Sequence, residues 1–286
     1  GRRRRGPEAY GRRQPRAAVR GGPRGERGGL RMRIGLAACT MRSVEILAIA
    51  RRAGFDFLLV DMEHGMFSIG EVAALCVAGR EAGFPVHVRA PASRSELLSR
   101  IVDCGAAGLV VPHVDDAQEA RSVVERVRFA PVGARSVPPP VGATGFLPMP
   151  VGALVAEAER GLEVLVMIES AGGLAAAAEI AAIDGIDGLV VGANDLAASL
   201  GLFDRPDAPE LADAIAAVAR AAARAGLRFG AMGMPEAMIR ARALDLATDW
   251  LVATNDVNLL FDAGEALLAR LRTPAPADRP AVEHRT

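Results

Sequence analysis

The sequence contains no lysine, so each of its 34 basic residues is an arginine. A bias in the base composition of the gene is the simplest explanation, but the absence has a chemical consequence. Enzymes that form a Schiff base with their substrate use a lysine amine as the nucleophile. That mechanism is therefore excluded for this chain.

Cysteines are scarce as well, and the three that occur are Cys39, Cys76 and Cys104. Their number is odd, no two are spaced as C-x-x-C, and all three lie in apolar stretches. We expect them to be buried as small apolar side chains rather than joined in disulfides. A chain without a disulfide pattern fits a reducing compartment, so we predict a cytoplasmic protein.

Long hydrophobic runs are also absent, although 51% of the residues are hydrophobic. No apolar segment reaches the roughly 18 residues that a membrane-spanning helix needs. The arginines near the N-terminus are followed by no apolar segment of the kind that a secretory signal contains. We therefore expect neither a membrane span nor a secretory signal.

Charge is balanced over the whole chain but not along it. The formal net charge is zero, yet residues 1–28 hold ten arginines and only two glutamates. This head is also poor in the apolar residues that folding requires, so we predict a disordered extension. An arginine-rich arm for nucleic acid is the alternative, but so short a charged block is weak evidence for one. Residues 273–286 are predicted to form a disordered tail.

Between the head and the tail, one pattern occurs eight times: a short apolar run, a turn, and a stretch rich in alanine, leucine and arginine. Nearly continuous apolar runs are typical of strands buried on both faces of a parallel sheet. The predicted strands are residues 33–37, 55–61, 85–90, 108–112, 163–169, 188–193, 227–232 and 249–254. The predicted helices are residues 41–53, 68–82, 93–104, 115–127, 171–182, 207–225, 235–246 and 255–271.

Eight strand–helix units in about 250 residues indicate an α/β fold of the (β/α)8 type, a TIM barrel. A doubly wound open sheet is the alternative, but it usually has a glycine-rich phosphate loop after its first strand, and "LAACTMRS" is not one. We therefore predict a catalytic TIM-barrel domain over residues 29–272. One connection, residues 128–162, is too long for a plain turn, and such loops are usually functional or disordered.

In a TIM barrel the active site forms at the carboxyl ends of the strands. The segment "FDFLLVDMEHG" has a buried strand followed directly by Asp61, Glu63 and His64. The strand would serve as a rigid mount for three titratable groups that face the site. Among the four histidines, His64 has this position and these acidic neighbours, so we predict that it is the general base.

Charged residues at other strand ends suggest further groups of the site. Glu169 and Asp195 follow neighbouring predicted strands, and carboxylate pairs suit a hard cation such as Mg²⁺ or Mn²⁺. Each could instead cap the next helix, but their occurrence together favours a metal site. Arg89 ends a strand inside the barrel, where an unpaired cation would be costly. It should meet an anion, either a substrate carboxylate or one of these acids.

Five segments of the chain resemble the class II pyruvate aldolases of the HpcH/HpaI aldolase/citrate lyase family. They are "FDFLLVDMEHG", "VHVRAP", "GAAGLVVPHVDDAQEA", "VMIES" and "GANDLAASLG". The resemblance extends over about residues 32–271, and the segments follow the family's order. It implies a barrel of the phosphoenolpyruvate/pyruvate type that cleaves a 4-hydroxy-2-oxo acid to pyruvate and an aldehyde, in the manner of 4-hydroxy-2-oxoheptanedioate or 2-keto-3-deoxy sugar-acid aldolases.

The resemblance also implies how substrate and cofactor bind. Glu169 and Asp195 would hold a divalent metal, Mg²⁺ or Mn²⁺ with Co²⁺ as a further option, which would bind the keto and carboxylate oxygens of pyruvate. Amide groups at Asn194 and Asp195 would bind the pyruvate carboxylate. Ser170, which follows the metal ligand Glu169, would belong to the same substrate-binding group.

The catalytic residues follow from the same resemblance. Arg89 would lie on the keto oxygen and stabilise the enolate. His64 would act as acid and base together with a water molecule on the metal, and Asp103 would orient it. Asp61 and Glu63 complete the motif as supporting residues.

One segment departs from the family's pattern. After "GAR" the family carries arginine and aromatic residues that contact the aldehyde, whereas residues 136–156 contain no charged residue. We therefore expect an aldehyde with less charge than succinic semialdehyde. The resemblance further implies a homo-oligomer, a trimer or hexamer, built by exchange of a C-terminal helix.

Two other functions stay open at this point. A lyase of the citrate-lyase β or malyl-CoA type would share the barrel and the carboxylate pair. Its CoA phosphates would need basic residues, and the loops after the first two strands contain few. A non-catalytic barrel with a nucleic-acid-binding head is disfavoured by the set His64, Arg89, Glu169 and Asp195.

Overall fold

The computed structural model describes residues 32–273, except Pro206 and Leu244. The predicted head, residues 1–28, lies outside the described residues, and so does the predicted tail apart from Thr273. The strands are β1 (Arg33–Ala38), β2 (Phe57–Asp61), β3 (Val86–Arg89), β4 (Gly108–Val111), β5 (Glu163–Ile168), β6 (Gly188–Gly192), β7 (Arg228–Met232) and β8 (Trp250–Asn255). The helices are α1 (Glu45–Ala53), α2 (Ile69–Ala82), α3 (Leu98–Asp103), α4 (Ala117–Val127), α5 (Val151–Glu159), α6 (Ala171–Ala181), α7 (Ala193–Ser199), α8 (Pro209–Ala225), α9 (Glu236–Arg242) and α10 (Asp256–Arg272).

The eight strands form a closed parallel barrel. Each strand pairs with the next one in the sequence, and β8 pairs with β1. In an open doubly wound sheet the first and last strands of the sheet would each have only one neighbour. Here every strand has two, so the predicted (β/α)8 fold is confirmed. Among the described helices, none is long and apolar enough to cross a membrane.

The helices agree with the prediction less well than the strands do. Two described helices, α5 and α7, are absent from the predicted set. Helix α5 lies inside the proline-rich connection, and α7 is considered only as the helix that Asp195 could cap. Helix α3 starts at Leu98 instead of residue 93. Where a strong local signal exists the boundary agrees, as in α2, where Ser68 and Glu71 form a capping box and Gly83 ends the helix in a left-handed conformation.

Alternation along the strands divides the core into two parts. On β2, Leu58 and Val60 belong to the core between the strands and the helices, whereas Phe57 and Leu59 belong to the core inside the barrel. The ring of Phe57 stacks on Trp250 with centroids 4.9 Å apart. The same alternation points Asp61, the last residue of β2, into the lumen.

The amino ends of the strands carry a charged cluster inside the barrel. Glu163 is contacted by Arg33 at 3.2 Å, by His87 Nε2 at 3.0 Å, and by Arg228. Each of the three basic groups meets the same carboxylate. This cluster closes the end of the barrel that lies opposite the carboxyl ends of the strands.

The long connection, residues 128–162, lies at the amino end as well, since it joins the end of α4 to the start of β5. It contains a 3-10 helix, Gly142–Thr144, and helix α5. Arg80 at the end of α2 donates a hydrogen bond of 3.0 Å to the carbonyl of Ala143. A Cβ atom on Gly142 would overlap the carbonyl of Cys104. Residues 136–156 therefore do not reach the carboxyl end of their own barrel.

The three cysteines are free thiols. Cys76 is buried, as expected, while Cys39 and Cys104 are only half-buried. Helix α10 has an unusual surface for a barrel helix, because Asp256 is its only buried residue. Its exposed apolar side chains are Val257, Leu259, Leu260, Phe261, Leu267, Leu268 and Leu271.

Candidate active site

A buried ion pair lies at the carboxyl end of the lumen. Asp61 ends β2 and is in register with Arg89 at the end of β3, and the two are only 2% and 5% exposed. Arg89 donates to both carboxylate oxygens, Nε to Oδ1 at 2.9 Å and Nη2 to Oδ2 at 2.6 Å. Burial acts to raise the pKa of Asp61, but the hydrogen bonds and charge of Arg89 outweigh it and the pKa is lowered. We expected Arg89 to meet either a substrate carboxylate or an acidic side chain of the site. The structure contains the second kind of partner, the carboxylate of Asp61.

Asp61 also organises the turn that follows it. Its Oδ1 accepts hydrogen bonds from the backbone N–H groups of Glu63 at 3.0 Å and His64 at 3.3 Å. A Cβ atom on Gly65 would overlap the carbonyl of Asp61, so the turn needs glycine at this position. The three titratable groups of "DMEHG" thus have different tasks, and Asp61 is the anchor of the other two.

Glu63 bridges two basic side chains. Its Oε2 lies 2.8 Å from Arg89 Nη1, an electrostatic contact without the alignment of a hydrogen bond. Its Oε1 lies 2.9 Å from Nε2 of His113. The predicted supporting residues Asp61 and Glu63 are therefore brought together around Arg89.

His113 was not predicted as a site residue, although it follows β4 directly. Its backbone N–H donates to Glu169 Oε2 at 3.0 Å, and its Nδ1 lies 3.6 Å from the same oxygen. The backbone is left-handed, with φ 52°, and 54% of the side chain is exposed. Its place after a strand in "VVPHVDD" was the available signal, whereas its contacts depend on residues distant in sequence.

Glu169 is a buried acid that interacts with the negative charge of Asp195. It is 3% exposed, and its Oε1 has no hydrogen-bond partner in the described structure. Burial raises the pKa of Glu169, and the negative charges of Glu63 and Asp195 add to this effect against the opposing contacts of His113. A Cβ atom on Gly192 would overlap Oε1, so glycine on β6 makes room for this carboxylate.

This arrangement fits a divalent cation. A cation would give the unpartnered Oε1 of Glu169 a ligand and relieve the repulsion from Asp195. The helix-cap alternative does not fit, because Ser170 caps α6 and no side chain caps α7. The described residues contain no group of three or more His, Cys, Asp or Glu side chains that could hold a metal. Water or substrate oxygens would therefore have to complete the coordination of a cation held by this pair.

The predicted substrate-binding residues Ser170, Asn194 and Asp195 differ in how available their polar groups are. The hydroxyl of Ser170 accepts from the backbone N–H of Gly173 at 2.9 Å and donates to Asp115. Both capacities are used for local structure, so Ser170 does not offer a free hydroxyl. Asn194 and Asp195 are exposed in the first turn of α7. The first amide groups of a helix lack intrahelical partners and remain available to an anion.

The predicted pair of His64 and Asp103 does not form within the chain. His64 is exposed at the mouth of the barrel and is held through its backbone N–H. Asp103 is the last residue of α3, and it binds Arg135. Asp103 is also close in sequence to Gly108, the first residue of β4. A helix of the barrel runs antiparallel to the strands, so its last residue lies at the amino end. Within one chain Asp103 therefore does not reach His64, and the orientation of His64 by Asp103 stays a prediction that a second copy would have to satisfy.

A clamp on the loop after β1 was also missed. Asp256, the first residue of α10, accepts hydrogen bonds from the backbone N–H groups of Cys39, Thr40 and Met41 at 3.0, 2.9 and 2.6 Å. Its neighbour Cys39 has a thiol 3.7 Å from Asp61 Oδ2. Burial, followed by the charges of Asp61 and Asp256, raises the pKa of Cys39 to about 12. This thiol is protonated at neutral pH and is no nucleophile.

Comparisons with known proteins show which family and fold this chain resembles. A family model described as HpcH/HpaI aldolase/citrate lyase matches residues 39–250. A hydroxypyruvate/pyruvate aldolase of Cupriavidus necator is 34% identical over 247 residues, 85% of this chain and 90% of that protein. The 4-hydroxy-4-methyl-2-oxoglutarate aldolase tasA of Hapsidospora irregularis is 32% identical over 66% of this chain and 71% of its own length. The crystal structure of an HpcH/HpaI aldolase from Desulfitobacterium hafniense superposes with a TM-score of 0.80 at 26% identity, covering 87% of this chain and 95% of that one.

Proposed function

The chain belongs to the HpcH/HpaI aldolase/citrate lyase family, and on that premise we propose that it is a divalent-metal-dependent aldolase. It would cleave a 4-hydroxy-2-oxo acid to pyruvate and an aldehyde, and would join the two in the reverse direction. The observation that carries the proposal is the buried, unpartnered Oε1 of Glu169 beside the charge of Asp195. The names of the relatives support a substrate of the pyruvate class.

Glu169 and Asp195 are the residues that would hold the cation, Mg²⁺ or Mn²⁺ in the first place and Co²⁺ as a further option. Their oxygen donors match the preference of hard cations. When bound, the cation would supply positive charge that polarises the keto group and stabilises the enolate. The chain has no lysine, so a Schiff base cannot replace this function.

Arg89 would stabilise developing negative charge on the keto oxygen. Its guanidinium is held in a fixed orientation by Asp61 on two nitrogens and by Glu63 on the third. A cation that is oriented before the reaction needs no rearrangement when charge develops, which is the main source of electrostatic catalysis. Amide groups in the first turn of α7, at Asn194 and Asp195, would bind the carboxylate of pyruvate.

His64 would move the proton at the methyl carbon of pyruvate. Its position at the mouth, anchored by Asp61, supports this role. In a single chain its imidazole has no partner acid in Asp103, which binds Arg135 at the other end of the barrel. We therefore propose His64 as acid and base without the support of Asp103 from its own chain.

The choice of aldehyde cannot be made by residues 136–156 of the same chain, because they lie at the amino end of the barrel. They could contact a substrate only at the site of a second copy. We further propose a homo-oligomer, a trimer or hexamer, in which the apolar surface of α10 packs against a second copy. The expectation of an aldehyde with little charge is kept as part of this proposal.

Deuterium exchange into the methyl group of pyruvate tests the function without a choice of aldehyde. In D2O with Mg²⁺ or Mn²⁺, we expect the methyl proton signal of pyruvate to decay, and EDTA to slow the decay by about 100-fold or more. Glu169→Gln should lose the exchange, whereas Glu125→Gln, a matched change on the exposed face of α4, should keep it. Exchange that continues at full rate in EDTA would contradict the metal-dependent mechanism. The absence of exchange with any metal would contradict the assignment as a pyruvate aldolase.

A further inference from the structure

The backbone of His113 is held in a conformation that side chains seldom adopt. Its φ of 52° lies in the left-handed region, which disfavours residues with a Cβ atom. Such residues persist where the surroundings determine them, and they concentrate at functional sites. Here the residue follows β4 directly, with its ring beside Glu63 and Glu169.

The left-handed backbone has a direct effect on Glu169. It aims the N–H of His113 at Glu169 Oε2, at 3.0 Å, and the next residue, Val114, donates to the carbonyl of Met167 at 3.3 Å. The turn is thereby fastened to β5 at two points. Because Oε2 is occupied, the carboxylate keeps one rotamer, in which Oε1 is the oxygen without a partner.

The ring of His113 reaches a different group. Its Nε2 lies 2.9 Å from Glu63 Oε1, and the other oxygen of Glu63 lies 2.8 Å from Arg89 Nη1. The remaining donors of Arg89 that are engaged go to Asp61. Among the described residues, Glu63 thus links the ring to the guanidinium, and without the ring Glu63 Oε1 would lose this contact.

We propose that His113 is a positioning residue for the reaction proposed above. Its backbone N–H orients Glu169, and its ring acts through Glu63 to hold Arg89 where the charge of the enolate develops. The inference rests on the proposed function, since Arg89 has this task only if an enolate forms. It adds the end of β4 to the strand ends already assigned to the site, those of β2, β3, β5 and β6.

Three substitutions separate the ring from the backbone. His113→Ala removes the ring, while His113→Gln places an amide near the position of Nε2 and has a Cβ atom with the same backbone cost. His113→Asn places its amide near the position of Nδ1, where the distance to Glu169 Oε2 is already 3.6 Å. All three variants keep the backbone N–H that reaches Glu169.

The measurement is deuterium exchange into pyruvate, with kcat and KM determined separately. For His113→Ala we expect kcat to fall by about 10- to 100-fold, the usual effect of removing a group that orients an active-site side chain. KM for pyruvate should stay within about threefold, because the lost interaction is made in the transition state. His113→Gln should recover most of the loss, and His113→Asn should recover little.

Two further readouts distinguish positioning from a general structural effect. The affinity for Mn²⁺ alone, measured by electron paramagnetic resonance, should change by less than about threefold in His113→Ala, because the backbone contact to Glu169 remains. In a Glu63→Gln background the same substitution should cost little further activity, since residues that act through one another are not additive.

The outcomes separate this inference from the function on which it rests. Suppose that the wild type shows metal-dependent exchange. The positioning role alone would then be overturned if His113→Ala were equally active, or if His113→Gln were no more active than His113→Asn. Additive losses in the double variant would also overturn it. A wild type that exchanges no methyl protons with any metal would remove the proposed function and this inference with it. Unchanged melting temperatures of the metal-free variants ensure that folding does not account for the losses.

Discussion

Arg89 shows at the scale of one residue why a buried cation needs its own set of acids. Its guanidinium meets both oxygens of Asp61 and one of Glu63. A lysine ammonium is a compact point charge and cannot make the two parallel bonds that fix the plane of an arginine. The guanidinium is therefore both neutralised and oriented, and orientation is what its proposed task requires.

Glu169 presents the opposite case, a buried acid whose Oε1 has no hydrogen-bond partner among the residues that the structure describes. Its raised pKa means that the folded protein without metal bears the cost of this charge. Glu169→Gln should therefore raise the melting temperature of the metal-free protein. A bound cation stabilises the native state by about 2.7 kcal/mol at one hundred times its dissociation constant. Mg²⁺ or Mn²⁺ should thus raise the melting temperature of the wild type and leave that of Glu169→Gln unchanged.

Differential scanning fluorimetry with and without EDTA measures both effects. The matched control is again Glu125→Gln, which should respond to metal as the wild type does. An equal metal-induced shift in Glu169→Gln and in the wild type would mean that the cation binds elsewhere.

At the scale of the strand, alternation assigns a different chemistry to each end of the lumen. The last inward positions of β2 and β3 are Asp61 and Arg89, which belong to the proposed site. At the amino ends, Glu163 gathers Arg33, Arg228 and His87. We regard this second cluster as structural, because it closes the end of the barrel where no active site forms.

Acid should weaken the fold through Glu163. Burial acts to raise its pKa, but His87, Arg33 and Arg228 lower it from 4.5 to about 2. The folded pKa is below the unfolded one, so this stability is present above pH 4.5 and is lost as the pH falls towards 2. Glu163→Gln should cost about 3 kcal/mol at pH 7, which corresponds to the lowering of this pKa from 4.5 to about 2. It should also flatten the loss below pH 4.5 in chemical unfolding experiments.

Asp249 interacts with the charges of this cluster, and it should change the stability of the fold with pH in the opposite direction to Glu163. Burial raises its pKa from 3.8 to about 6, although Arg228 and Arg33 oppose the effect. Its charge is thus unfavourable in the folded state above pH 6, and the penalty disappears as the pH falls towards 3.8. Asp249→Asn should remove the gain in stability between pH 7 and 5 while leaving the loss below pH 4.5. If both variants had the same pH profile of stability as the wild type, these two carboxylates would not govern the pH dependence.

At the scale of the whole molecule, the direction of the chain decides which residues can meet. Every helix of the barrel returns the chain to the amino end, so the ends of α3 and α4 lie far from the carboxyl ends of the strands. This is why Asp103 meets Arg135 instead of His64, and why residues 136–156 pack on α2 and α3. Both could serve a site only across a boundary between two copies.

The exposed apolar surface of α10 predicts that the protein is an oligomer. Leu260 and Phe261 are each 64% exposed on a helix with one buried residue. An apolar surface of this kind is costly in water and marks an interaction site. Phe261→Glu should lower the mass of the particle in light scattering to that of a smaller assembly or a monomer.

Ala223→Glu provides the control, because it adds the same charge to an exposed position of α8. Its particle mass should equal that of the wild type. An unchanged mass for Phe261→Glu at low micromolar concentration would contradict the assignment of α10 as an interface.

The sequence by itself determined the barrel and indicated most groups of the proposed site. Eight apolar runs specify the strands, and the residue after each strand in a parallel barrel must face the same end, so Asp61, Arg89, Glu169 and Asp195 were foreseeable. These inferences depend on local periodicity and on the order of the segments, which a sequence contains in full.

The tertiary structure alone decided which of these groups touch. The contacts of His113 with Glu63 and Glu169 join three strands, and the clamp of Asp256 on Cys39 to Met41 joins the two ends of the barrel sequence. Such contacts depend on the register of closure and on a left-handed backbone at His113, and neither has a local pattern. The sequence could therefore name the members of the site, while the closed barrel was needed to say which side chain holds which.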